Sequence, residues 1–169
     1  VRAASGLPSD DITVGITLDE TRPPVELFRA RVVDYAPERD LALLRVVTGR
    51  YGEEIPEFYR FPSLSLRPVK LAIAEQLHFI GYPSIGGSGS RVSVTYTSGV
   101  VAGFQKTEFG LLVKSDGEIN SGNSGGAALD SEYRLAGIPT SVIGEDAGQL
   151  AYAVPVTAVP SEWLELIGD

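Results

Sequence analysis

The stretch SGNSGGAALD, residues 121–130, decides how this chain is read. Ser124 stands between Gly122 and the pair Gly125 and Gly126, and glycines on both sides permit a sharp turn that side chains would block. In such a turn the backbone N–H groups of Gly122 and Ser124 can point at one spot, the place where a tetrahedral oxyanion would sit. A serine hydroxyl there still needs a base to become a nucleophile at neutral pH. Taken alone, the pentapeptide GNSGG reads equally well as a glycine-rich hairpin with no activity. The residues around it decide between the two.

Outward from this loop, alternation of apolar and polar residues is far commoner than helical period. ITVGITL (12–18), ELFRARVVDY (26–35), DLALLRV (40–46), EQLHFIGY (75–82), RVSVTYTSGVVAGF (91–104), GLLVKSD (110–116) and LAGIPTSVI (135–143) are rich in Val, Ile, Thr and Tyr and read as strands. AALD, after the serine, continues as a strand. DETRPP, APER, PSIGGSGS and GEDAG between them are turn chemistry. The fold class expected is all-β, a barrel or sandwich. Only the tail SEWLELIGD (161–169) has helix grammar, with Ser161 as N-cap and Trp163, Leu164 and Ile167 on one face. The stretch 48–67, with its prolines and aromatics, reads as a long connection entering a last strand of the first lobe.

Composition narrows the function classes. With 169 residues, 43% of them hydrophobic, the chain is long enough for a real core. A formal net charge of -8 argues against nucleic acid or an anionic membrane as partner, and points to peptides or small molecules. Zero cysteines remove disulfides, thiol catalysis and Cys-ligated zinc, and a single histidine with scattered carboxylates implies no metal and no cofactor. No apolar run is long enough to span a membrane as a helix. The chain has no Met, so residue 1 reads as an internal position of something longer.

Three competing readings of the site are set aside. Gly122, Ser124 and Gly126 also satisfy G-x-S-x-G, the elbow of α/β-hydrolases, but that elbow enters a helix and is followed by a histidine, and no histidine follows Ser124. GGSGS (86–90) lacks the lysine of a phosphate loop. Asp40, His78 and Ser124 stand in the chain order of subtilisin-type enzymes, whose fold needs alternating strands and long helices. In QLHFIGY, His78 alternates with Leu77 and Phe79 and shares a face with Ile80, which makes it a structural or surface histidine rather than a base.

Together, INSGNSGGAALD followed by LAGIPTSVI and AYAVPV, FIGYPSIGG followed by TSGVVAGF, and YAPERDLALLRV resemble the trypsin-like serine proteases of the HtrA/Deg type over nearly the whole chain. The resemblance implies a double β-barrel with a cleft between the barrels. It implies Ser124 as nucleophile, Asp40 as the carboxylate orienting a histidine, and an oxyanion hole along Gly122, Asn123 and Ser124. Taken alone, Asp40 reads as a turn or strand-start aspartate after Pro37. The family places its histidine before that Asp, in a strand resembling LTNxHVV, and no such strand is present in this sequence.

The resulting expectation is a trypsin-like fold with the first barrel incomplete, plus a short C-terminal helix: 1–68 a remnant of the first barrel, 69–158 the second barrel, 159–169 the helix. The exposed strand edges of the incomplete barrel invite pairing, and homo-oligomers occur in the family. The substrate pocket would be walled by Glu118, Ile119, Asn120 and Ser121 and by Ile138, Pro139, Thr140 and Ser141. Ile119 would favour a small or medium apolar side chain; Glu118 reads as a solvated carboxylate in the turn-like DGE. Two functions are carried forward: a serine endopeptidase acting on protein or peptide, inactive as this chain, and a non-catalytic protease-like module that binds extended peptides by strand addition. The family implies a location outside the cytoplasm.

Overall fold

The computed structural model describes residues 12–82, 94–108, 110–119, 123–140 and 150–167. The chain divides into two compact units, Val1–Pro62 and Ser63–Asp169. Both are built from antiparallel strands, and the all-β expectation holds.

In the first unit, β1 (Ile12–Ile16), β2 (Val25–Ala36) and β3 (Leu41–Gly49) form a three-stranded sheet in that order. Among the described residues it is an open sheet rather than a closed barrel. Alternation along β2 buries Phe28 and Ala30 while Leu27, Arg29 and Arg31 stay exposed, the half-buried pattern that period-2 side-chain placement dictates. The chain after β3 folds back onto the Phe28 side: the ring of Phe28 meets those of Tyr59 and Phe61 at 5.7 and 5.1 Å. The Tyr59 and Phe61 rings lie 4.8 Å apart in an edge-on arrangement, which aromatic quadrupoles favour.

The second unit is a closed six-stranded barrel, ordered β4-β5-β6-β9-β8-β7. Its strands are β4 (Gln76–Gly81), β5 (Thr95–Thr107), β6 (Gly110–Ser115), β7 (Ala127–Leu129), β8 (Leu135–Thr140) and β9 (Ala151–Pro155). Leu77, Phe79, Val101, Val113, Ala128, Ala136 and Ala153 fill its interior with Leu71 from the entering chain. A small barrel has room for few large side chains, so the alanines of β7, β8 and β9 let Phe79 and Leu77 sit fully inside. Each of those two side chains contributes about 1.5–3 kcal/mol by burial.

Three expectations are corrected. No strand ends the first lobe: among the described residues 50–75 the backbone makes one isolated parallel bridge, Leu66 to Leu135, and that bridge lies in the second unit. Pro56, Pro62 and Pro68 interrupt the donors a ladder would need. In α1 (Ser161–Ile167), Ser161 is already helical, and Pro160 supplies the first carbonyl, accepting from Trp163 and Leu164. Trp163 is buried, Leu164 half-buried and Ile167 exposed, so the packed face is narrower than the pattern suggests. β9 is a strand that alternation does not single out, because all five of its residues are buried.

Candidate active site

The turn that carries Ser124 is defined by two glycines and two carbonyls. Gly126 N–H donates to Asn123 O at 2.9 Å, closing a four-residue turn with Ser124 and Gly125 at its centre. Gly125 takes φ +80°, the left-handed value that the third residue of a type II turn requires and a side chain would resist. Gly125 N–H donates to Pro139 O at 2.8 Å. Pro139 itself has no N–H, and β7 ends its pairing with β8 at Gly137, so past that point the β8 edge is left to receive the turn. Ser124 is exposed at the apex.

Below the apex the turn is locked by close approach. A Cβ at Gly126 would stand 2.3 Å from the carbonyl oxygen of Ile80, and one at Gly81 would stand 2.6 Å from Asn123 Oδ1. Asn123 is 1% exposed, and its Oδ1 is buried with no hydrogen-bond partner among the described residues. Such an orphaned acceptor costs about 1–3 kcal/mol, tolerable because it places the residue beside the serine firmly on β4.

The segment entering the loop is pinned to β5. Val100 N–H donates to Asp116 Oδ1 at 2.7 Å, and Thr97 Oγ1 donates to Glu118 O at 2.7 Å. A Cβ at Gly99 would stand 2.3 Å from Gly117 N, and one at Gly117 would stand 2.7 Å from the Phe79 ring, so this approach too requires glycine. The strand leaving the loop, β7, is followed directly by Asp130, which is 1% exposed. Its carboxylate accepts from Glu132 N, Arg134 N, Arg134 Nε and Arg67 Nη1 at 2.9–3.2 Å. Burial pushes that carboxyl up, but the hydrogen bonds from the Arg134 backbone and side chain and from Glu132, with the Arg134 charge, hold it below the ordinary aspartate value. Arg67 also reaches Glu75 at 3.0 Å and the carbonyls of Val69 and Lys70, so each of the three nitrogens of this buried guanidinium has an acceptor.

Of the candidate pocket residues, Glu118 is exposed and Ile119 is half-buried against the barrel core. Ile138 is half-buried, and Pro139 and Thr140 are buried in β8. Gly122, Asn120, Ser121 and Ser141 lie outside the described residues. Asp40 belongs to the first unit, where it follows a single 3-10 turn, Pro37–Arg39, and directly precedes β3. It adopts φ 54°, ψ 40°, a left-handed conformation that aspartate tolerates, and its N–H donates to Pro37 O. Asp40 is exposed.

His78 sits on the outer face of β4, diagonal to Tyr96 across the β4–β5 ladder. His78 is 7% exposed, and the rings of Tyr96 and Tyr133 lie nearly parallel to its own at centroid distances of 5.6 and 5.3 Å. Nδ1 is hydrogen-bonded to the Tyr96 hydroxyl. Gly81, by contrast, has no chemistry of its own and was not among the expected site residues; its glycine–tyrosine–proline setting gives no sign that Asn123 fills its missing side chain. Among the described residues there is no group of three or more His, Cys, Asp or Glu placed to hold a metal ion, and no helix long and apolar enough to cross a membrane.

The family model described as "Trypsin-like peptidase domain" matches residues 6–138. Periplasmic serine endoprotease DegP of Salmonella typhimurium is 28% identical over 139 residues, covering 78% of this chain and 26% of the relative. Protease Do-like 1, chloroplastic, of Arabidopsis thaliana is 28% identical over 144 residues, covering 78% and 29%. The chain thus spans about a quarter of the length of the curated relatives it matches. Among solved structures, HtrA-type protease AlgW with decapeptide has a TM-score of 0.64 at 23% identity, covering 95% of this chain and 45% of that one, a likeness of fold. The matched family model spans both units, and the barrel, the open sheet and the glycine-bounded Ser124 turn accord with it: the chain belongs to the trypsin-like peptidase family, with relatives of the HtrA/Deg type.

Proposed function

We propose that this chain is the body of a serine endopeptidase domain in which Ser124 is the nucleophile and Asp40 orients the base. Ser124 Oγ attacks a peptide carbonyl, a histidine takes its proton and later gives it to the leaving amine, and Asp40 fixes that ring's tautomer. The backbone N–H groups of Gly122 and Ser124, on either side of Asn123, receive the oxyanion. The observation that carries the reading is the turn itself: Ser124 is exposed at the apex of a loop whose flanks are held by Pro139 O, Ile80 and Asp116. Glu118 to Ser121 and Ile138 to Ser141 wall the substrate pocket, with peptide as the substrate class. A homo-oligomer is part of the same proposal, as is a location outside the cytoplasm, which relatives named as periplasmic and chloroplastic support.

The base is a histidine outside these 169 residues, and the chain as given turns over little. His78 is the one histidine present, and its Nδ1 is committed to Tyr96 within an aromatic stack. A fluorophosphonate probe tests this. Slow modification of Ser124, lost in Ser124→Ala, is expected for the chain alone. Modification at the rate of an intact protease would overturn the inactivity, and no modification of Ser124 in a longer protein that supplies the histidine would overturn the nucleophile.

A second reading, a non-catalytic module that binds extended peptide by strand addition, draws on the open sheet: among the described residues the outer edges of β1 and β3 are unpaired. Peptide binding without hydrolysis, in a longer protein that supplies the histidine, would favour it.

A further inference from the structure

The stack on the outer face of β4 is more than a cover for a buried ring. His78 and Tyr96 occupy diagonal positions on one face of the β4–β5 ladder, close enough for their side chains to meet. Tyr133 arrives from the β7–β8 turn, held at its tip with φ 59° and its N–H donating to Asp130 O. Adopting a left-handed conformation costs a bulky residue energy, and what Tyr133 gains in exchange is the face of the imidazole. The result is a base sheltered by two tyrosine rings that lie nearly parallel to its own.

The outer rings differ in one respect. Tyr96 and Tyr133 are both exposed, at 54% and 61%, and both are stacked on His78. Among the described residues, the Tyr96 hydroxyl is the one bonded to the imidazole, at Nδ1. A neutral imidazole with its proton on Nε2 accepts the phenol O–H at Nδ1. A phenol that is open to reagents on one side and hydrogen-bonded to a base on the other has the arrangement of an assisted nucleophile.

We propose that Tyr96 is a modification site: its Oη accepts an acyl or sulfonyl group from an activated donor, with His78 as the general base. Oη forms a bond to the acyl carbon or the sulfur while the phenol proton passes to Nδ1. The leaving group, fluoride in the case of an arylsulfonyl fluoride, departs with its bonding pair. The imidazolium then gives up one proton to solvent and returns to the neutral ring. No oxidant, metal or other residue is needed, and the site is independent of Ser124.

The test is a competition within one molecule. The chain is treated with a limiting amount of an arylsulfonyl fluoride, digested, and the modified tyrosines are quantified by mass spectrometry, with any adduct on Ser124 counted as a separate peptide. Tyr96 is expected to react roughly tenfold faster than Tyr133 or Tyr51, a conservative fraction of the ~10²-fold that a well-placed base supplies. Exposure alone would give the opposite order, since Tyr51 and Tyr133 are 82% and 61% exposed. In His78→Phe, which keeps an aromatic ring at this position and removes the base, the Tyr96 rate should fall to that of Tyr133. Equal rates for Tyr96 and Tyr133 in the unaltered chain, a comparison that needs no variant, would overturn the proposal, as would an advantage that survives His78→Phe.

Discussion

Asn123 occupies the space that a side chain at Gly81 would need: a Cβ there would stand 2.6 Å from Asn123 Oδ1 and 2.9 Å from its Cα. Because Cα is backbone, rotating the amide away does not relieve the overlap. Gly81→Ala should therefore push the Ser124 turn off β4 and destabilise the second unit by about 1–3 kcal/mol, as overpacking generally does. Denaturant unfolding measures the loss. A variant as stable as the parent would show that the turn yields freely, against the locked geometry.

Asp130 should govern acid stability. Its folded carboxyl is held below the ordinary value, so it binds its proton less readily in the folded than in the unfolded state. The stability this supplies is complete above the unfolded value near pH ~3.9 and is lost as pH falls through the lower folded value. In Asp130→Asn the fall in unfolding free energy below about pH 4 should be shallower than in the parent. Asp130→Ala, which strips Arg67 of its buried counter-charge, should cost about 3–5 kcal/mol at neutral pH. Urea titrations across pH 2.5 to 7 compare the slopes, and an unchanged acid slope in Asp130→Asn would contradict the assignment.

Ala74 offers a gain. It sits at φ +71° in a turn closed by Glu75 N–H donating to Ala72 O, and its own N–H donates to Val101 O. Glycine adopts this backbone without the Cβ penalty, which outweighs its larger unfolded-state freedom. Ala74→Gly should stabilise by about 0.5–1 kcal/mol, seen as a rise in the thermal midpoint; a lower midpoint would mean the turn relaxes elsewhere.

The terminal helix separates packing from appearance. Trp163 is 4% exposed and Ile167 is 54% exposed. Trp163→Ala should cost about 3–5 kcal/mol, whereas Ile167→Ser should stay within about 0.5 kcal/mol of the parent. Similar losses from both would restore the broader apolar face read from the sequence.

What could be read from the chain alone follows the range of the forces involved. Strand identity is local, so the alternation of Leu77, His78, Phe79 and Ile80 correctly separated the barrel interior from the face that carries His78. The Ser124 turn was legible because glycine at 125 and 126 has few other reasons to be doubled. The segment 48–67 was legible as a connection, and its Tyr59 and Phe61 pack on Phe28 without joining a ladder; the last strand of the first lobe that it was expected to enter is not formed among the described residues. Distance in sequence hid the rest. Nothing near His78 announces that Tyr133 will close over it, and nothing near Gly81 announces Asn123, because both partners arrive only when β7 docks beside β4.

The bond between Arg67 and Asp130 joins positions 63 residues apart, just ahead of β4 and just after β7. Those two strands form the seam that closes the barrel. Until the seam forms, Arg67 and Asp130 are free to remain hydrated, and their attraction in water is weak. The pair therefore rewards only a chain that has already brought together two strands far apart in sequence, so it should slow unfolding far more than it speeds folding. Once shut, the barrel that holds the Ser124 turn is latched at the one joint where it could most easily reopen.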